Sequence, residues 1–144
     1  MYHIPAIKSV MTAFPYSIEI DAPVSEALAY MDEHNMHHLP VTRNEKLAGI
    51  LTKRDIRLFL AVGAADRELS AIAVSEIHLE EPYVVDLEER LDIVLLGMVE
   101  RRIGSVLITW HGRLAGVFTT TDACRSFAEH LREQFNPPGG DEAA

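Results

Sequence analysis

The sequence predicts a mixed α/β (α+β) protein made of two tandem β-α-β-β-α units packed as a pseudo-twofold pair. Three observations carry that expectation. Short alternating apolar segments interleave with amphipathic helical stretches, one seven-residue motif occurs twice, and a constant offset aligns what lies upstream of it. The motif Gly49-Ile50-Leu51-Thr52-Lys53-Arg54-Asp55 returns as Gly116-Val117-Phe118-Thr119-Thr120-Thr121-Asp122, an offset of 67 (116 − 49, and again 122 − 55). At that offset Pro15-Tyr16 meets Pro82-Tyr83, Met31 meets Met98, Glu33 meets Glu100 and Thr42 meets Thr109. About a dozen identities fall on the alignment, where ordinary residue usage gives about three or four by chance. The halves are duplicates.

Each copy reads the same way along the chain. A short lead (residues 6–12 and 73–79) precedes an alternating strand at residues 16–20 and 83–87. In the first copy Asp21, Pro23 and Ser25 supply helix-start chemistry. Val24, Ala27, Leu28 and Met31 then recur at i, i+3, i+4 and i+7, as do Leu91, Val94, Leu95 and Met98, so each set forms one apolar helical stripe. Two short strands follow, 39–42 with 46–51 and 106–109 with 113–118, turned by Asn44 and by His111-Gly112. A second helix starts at Thr52 or Thr119 and carries Ile56, Phe59 and Leu60, or Ala123, Phe127 and Leu131. A unit of about 55 residues is too small to bury both sheet and helices alone, so the copies are expected to pack together. The expected domains are residues 1–66, the first repeat with its lead, and residues 67–135, the second. Residues 136–144 have the composition of a disordered tail.

Bulk properties exclude several function classes. With 144 residues, 48% of them hydrophobic, the chain can bury a core, and at 7% aromatics that core is aliphatic. A formal charge of −9 argues against a general nucleic-acid binder, which needs clustered Lys and Arg for phosphate. The single cysteine, Cys124, excludes an internal disulfide and a cysteine-based zinc cage. Met1-Tyr2-His3-Ile4-Pro5 lacks a basic lead and an apolar run, and no segment has the roughly 18–20 apolar residues of a membrane helix. A cytoplasmic protein without a membrane span is the expectation.

The repeated motifs resemble the cystathionine-β-synthase (CBS) domain, whose tandem pair is called a Bateman module. The resemblance covers roughly residues 6–128. Its carriers are Val10-Met11-Thr12, His38-Leu39-Pro40-Val41, the segment from Leu47 to Asp55, then Arg102-Ile103-Gly104-Ser105-Val106-Leu107-Ile108 and the segment from Gly116 to Asp122. Each motif is weak alone; two copies in order at one offset are specific. The resemblance implies AMP, ADP, ATP or S-adenosylmethionine bound in clefts between the repeats, a regulatory role such as energy sensing, and a homodimer formed through the helices. With no enzyme or channel in the sequence, it implies a free-standing module acting on a separate partner protein.

The residues themselves suit such a ligand. Thr52 and Thr119 stand where a strand becomes a helix, so their hydroxyls and the free amides beyond them form an anion site. Asp55 and Asp122, one turn on, can accept both hydroxyl protons of a ribose diol, and Ile50 and Val117 can flank an adenine ring. Glycine at 49 and 116 permits close backbone approach. The resemblance joins each such junction with the other repeat. A first cleft then unites Ile50, Thr52, Lys53, Arg54 and Asp55 with Tyr83, Arg102, Ile103 and Gly104. A second unites Val117, Thr119, Thr120, Thr121 and Asp122 with Thr12, Tyr16, Met36, His37 and His38. Lys53, Arg54, Arg101 and Arg102 are expected at the mouth of the first, favouring phosphate there, whereas the second has hydroxyls and histidines with Arg125 as its nearest fixed cation.

The alternative needs no ligand. Thr-x-x-Asp before an apolar run is also a capping signature, and a duplicated fold can serve as a dimeric interaction scaffold. A nucleic-acid co-regulator is disfavoured by charge. His34, His37 and His38 with Asp32 lack the pattern of a zinc site, so no metal is expected. Cys124 reads as a small core residue, and Trp110, placed at the turn between the last two strands, as an exposed contact. No nucleophile elbow, phosphate loop or dinucleotide motif occurs, and no catalytic residue is assigned.

Overall fold

The computed structural model describes residues 3–13 and 15–135; the proposed tail, residues 136–144, lies outside them. Along the chain run β1 (Thr12–Ala13), β2 (Ile18–Glu19), α1 (Val24–Glu33), β3 (His38–Arg43), β4 (Lys46–Thr52), α2 (Lys53–Phe59), β5 (Val84–Asp86), α3 (Leu91–Arg101), β6 (Ser105–Trp110), β7 (Arg113–Thr119) and α4 (Thr120–Phe135). The strands form one sheet in the order β2-β3-β4-β7-β6-β5, with β1 added on β7. The repeats meet where β4 and β7 pair antiparallel, Lys46 opposite Arg113. Both hairpins turn through positive φ, at Asn44 (52°) and Glu45 (69°) and at His111 (53°) and Gly112 (78°). Two successive left-handed residues match the right-handed twist of the flanking strands. Trp110 is not in the turn; it ends β6, opposite Arg113.

The leads cross over. The first lead docks on the second repeat, Ile7 N–H donating to Glu89 O (2.7 Å) and Leu91 N–H to Pro5 O (2.9 Å). The second docks on the first by the mirrored bonds, Val24 N–H to Ile72 O and Val74 N–H to Ala22 O (both 2.8 Å). Helix α1 therefore starts without a side-chain cap: Pro23 holds the cap position, and an amide of the first turn is satisfied by the opposite lead rather than by Asp21 or Ser25. The cores are likewise shared. Ile72, Val74 and Ile77 enter the first cluster, with Val24, Ala27, Met31, Leu39, Leu51 and Ile56. Ile7 enters the second, with Val94, Met98, Val106, Ile108 and Phe118. Fully burying one such side chain stabilises the fold by about 1.5–3 kcal/mol, so each repeat holds the other's lead. Gly49 and Gly116 make room for this crossing. A Cβ at 49 would come within 2.9 Å of Leu79 Cβ, and one at 116 within 3.0 Å of the Thr12 carbonyl oxygen. Among the described residues no helix is long and apolar enough to cross a membrane.

Candidate functional site

Both strand-to-helix junctions fold into the same local bond pattern. Thr52 caps α2: its Oγ1 accepts from the Asp55 amide (3.0 Å) and donates to Asp55 Oδ2 (2.8 Å). At α4 the amide and hydroxyl of Thr119 both donate to Asp122 Oδ2 (2.9 and 3.2 Å). The strand entries close over these starts, Lys53 N–H donating to His37 O (3.2 Å) and Thr120 N–H to Gly104 O (3.1 Å). These bonds give both residues of each pair a capping role, and they hold one oxygen of each carboxylate.

Beside the first junction lies a cavity of about 230 Å³ lined by His38, Ile50, Glu80 to Tyr83 and Arg102 to Ser105. It brings together Ile50, Tyr83, Arg102, Ile103 and Gly104 from both repeats. Glu80 is fixed in its wall by two backbone bonds to Ile50 (2.9 and 3.1 Å), two residues before the capping threonine. The Glu80 carboxyl is held above the usual carboxylate range, chiefly by a side-chain hydrogen bond with Asp55, then by burial and by the Asp55 charge. Asp55 thus stands directly behind this wall. His38, expected at the second cleft, lines this cavity, where its strand pairs it with Thr52 at the end of β4. Burial and the neighbouring His37 lower the His38 pKa, against the pull of Asp55. His38 is therefore a neutral group near pH 7.

The four cations assigned to this mouth do not all face it. Lys53 Nζ bonds Asp32 Oδ1 on α1 (2.6 Å), and Arg101 lies 4.0 Å over the Tyr83 ring with its Nη1 on the Gly97 carbonyl (3.2 Å). Arg102 lines the cavity, and Arg54 is close enough to Glu80 to pull its pKa down. The left-handed φ of Arg102 (56°) at the C-terminus of α3 turns it there, as Asn35 (53°) does after α1.

Around the second junction Asp122 is buried and Arg125 donates to its Oδ1 (3.1 Å). Thr12 sits opposite Val117 in the β1–β7 ladder, and Thr121 is exposed. Met36 packs on the first core, and His37 is exposed. Tyr16 stacks on His34 (3.7 Å between centroids) and meets Tyr30 edge-on (5.3 Å). Cys124, read as a core residue, is exposed on α4.

A larger depression of about 700 Å³ lies between the two hairpin turns, lined by residues including Lys46, Glu81, His111 and Arg113. It is broad and open, and Arg113 at its rim pairs with Glu45 (3.3 Å). The smaller, more enclosed cavity beside Asp55 is the better candidate. Sequence reasoning missed Glu80 and Glu81 there. Their signal was a departure from the repeat: the offset sets Ala13 against Glu80.

A family model described as CBS domain matches residues 7–62 and 74–129. The chain is 28% identical to Hypoxic response protein 1 of Mycobacterium tuberculosis over 129 residues, 89% of each protein. It is 31% identical over 107 residues to an inosine-5'-monophosphate dehydrogenase of Thermoplasma acidophilum, a match to 74% of this chain that spans 20% of that enzyme's length. Among solved structures, the CBS domain pair of protein MJ0100 in complex with 5'-methylthioadenosine and S-adenosyl-L-methionine superposes with a TM-score of 0.74. The two are 25% identical, with 89% of this chain and 99% of that one covered.

Proposed function

We propose, for a chain that belongs to the CBS domain family, that it is a regulatory module binding an adenosine-containing ligand between its repeats and transmitting occupancy to a partner protein. One observation carries the reading: a small cavity beside the first junction is built from both repeats, with apolar Ile50 and Ile103 and the Arg102 guanidinium in its wall, and Asp55, which does not line it, adjoining Glu80 of that wall. At about 230 Å³ it is below the roughly 300–1,000 Å³ of pockets for drug-sized ligands. It suits a nucleoside whose 5' substituent projects outward. The relative crystallised with 5'-methylthioadenosine and S-adenosyl-L-methionine supports that class of ligand.

The exposed faces of α3 (Ile93, Leu96, Val99) and α4 (Phe127, Leu131, Phe135) support the homodimer that the resemblance implies. A dimeric scaffold without a ligand is the competing reading, favoured by the capping bonds at Thr52 and Thr119. A thermal-shift panel of AMP, ADP, ATP and S-adenosylmethionine separates the two. A ligand that binds only the folded chain must raise the melting temperature, by about 2.7 kcal/mol of stability at 100 times its Kd. At least one compound is expected to do so, and Asp55→Ala to abolish the shift. A flat panel sinks the binding reading.

A further inference from the structure

The charge around the cavity sorts its ligands. Of the residues in its wall, Glu80 and Glu81 are acidic, Arg102 is basic and His38 is neutral, while Asp55 lies behind Glu80 and Arg54 beside it. Two further cations of the neighbourhood are not in the wall: Lys53 is paired with Asp32, and Arg101 lies over the Tyr83 ring with its Nη1 on the Gly97 carbonyl. Glu80 cannot swing clear with its backbone, because both its amide and its carbonyl are paired with Ile50. An anionic group entering here meets two carboxyls, Glu80 and Glu81, against one guanidinium, Arg102, in the wall, and the excess of acid over base disfavours it.

Building on the adenosine reading above, we propose that Glu80 sets the charge preference of the cavity, which takes an uncharged or cationic adenosine compound over a phosphorylated one. A cationic 5' substituent would lie against Glu80 and Glu81. A thioether would be tolerated. A phosphate would have to overcome Glu80 before reaching Arg102.

The test is isothermal titration calorimetry with 5'-methylthioadenosine, S-adenosylmethionine, AMP and ATP on the wild-type chain, Glu80→Gln and Glu129→Gln. The last removes the same charge from an exposed position on α4 and controls for net charge. The wild type is expected to bind 5'-methylthioadenosine at least about tenfold more tightly than AMP. Glu80→Gln should shift that ratio about tenfold towards AMP, with Glu129→Gln leaving it in place. The proposal is overturned if the wild type prefers AMP or ATP, or if the two variants move the ratio equally. If no adenosine compound binds any of the three proteins, the adenosine reading itself falls.

Discussion

At the end of β4, Asp55 stands beside Glu80 and near His38, and leucine occupies position 58. At the end of β7, the matching Asp122 is paired with Arg125, and alanine occupies position 13, the counterpart of Glu80. The duplicated threonine and aspartate share two bonds in both places, hydroxyl to carboxylate and aspartate amide to hydroxyl. Divergence has gone into what faces the free carboxylate oxygen. One copy now presents acid to acid, the other acid to base. A duplicated fold can thus hold two binding chemistries without altering its frame, because the helix start is fixed by the cap and the ligand face is not.

The tyrosines that follow each lead teach the same lesson through shape. Tyr83 lies against Gly97 on α3, where a Cβ would collide with its ring and hydroxyl, and its other neighbour is the Arg101 guanidinium. The counterpart of Gly97 is Tyr30, and the counterpart of Arg101 is His34. With Tyr30 in place of the glycine, Tyr16 is 45% exposed, stacked on His34 and edge-on to Tyr30 instead of lying against a helix backbone. One missing side chain seats a tyrosine in a cavity wall in one repeat and leaves its twin outside in the other.

The comparison can be broken first at the level of the cores. Leu51 and Phe118 are counterparts, both fully buried, one in each cluster. Leu51→Ala should cost about 2–5 kcal/mol and Phe118→Ala about 3–5 kcal/mol. Since Ile7 and Val74 each stabilise the opposite repeat, either truncation is expected to lower one shared transition. Urea unfolding followed by Trp110 fluorescence, in the second repeat, should coincide with far-ultraviolet circular dichroism in both variants. Two separated transitions would mean that the crossed leads do not couple the halves.

The duplication itself, the helical stripes and the hairpins were legible because each leaves a periodic or local mark: Val24 to Met31 reads as a helix face in any context. The crossing of the leads was not. Ile7 and Val74 are apolar at equivalent positions, and nothing in their spacing says which core they enter; only Gly49 and Gly116, pressed by Leu79 and by Met11 and Thr12, record the neighbour. The same blindness hid Glu80. Its importance comes from the crossing that lays it beside Ile50, so reading the site required the topology first. The cations misled for a related reason, since charge in sequence does not show that Lys53 reaches back to Asp32.

A smaller effect sharpens the tyrosine comparison. Gly97→Val places carbon where Tyr83 lies and should destabilise by about 1–3 kcal/mol, the usual cost of overpacking. The ring is then expelled towards the position Tyr16 already occupies in the other repeat. Adding Tyr83→Ala to Gly97→Val should recover part of that loss, measured by chemical denaturation. If the double variant is no more stable than Gly97→Val alone, steric conflict with the ring is not what the glycine avoids.

The smallest effect lies in the pH dependence of the first junction, where two groups act in opposite directions. His38 has its pKa lowered, so its neutral form is preferred in the fold; its contribution is present above the ordinary histidine pKa and is lost as pH falls through the folded value. Glu80 has its pKa raised, so its contribution is full below the ordinary glutamate pKa and is lost as pH rises through the folded value. Between about pH 7.5 and 5.5 the His38 contribution is expected to change, because that window contains the ordinary histidine pKa of about 6.5. His38→Asn should therefore lose less stability than the wild type over that interval, with Asp122 and its Arg125 partner unaffected by the change. An equal slope in both proteins would show that the fold does not favour the neutral imidazole at this position.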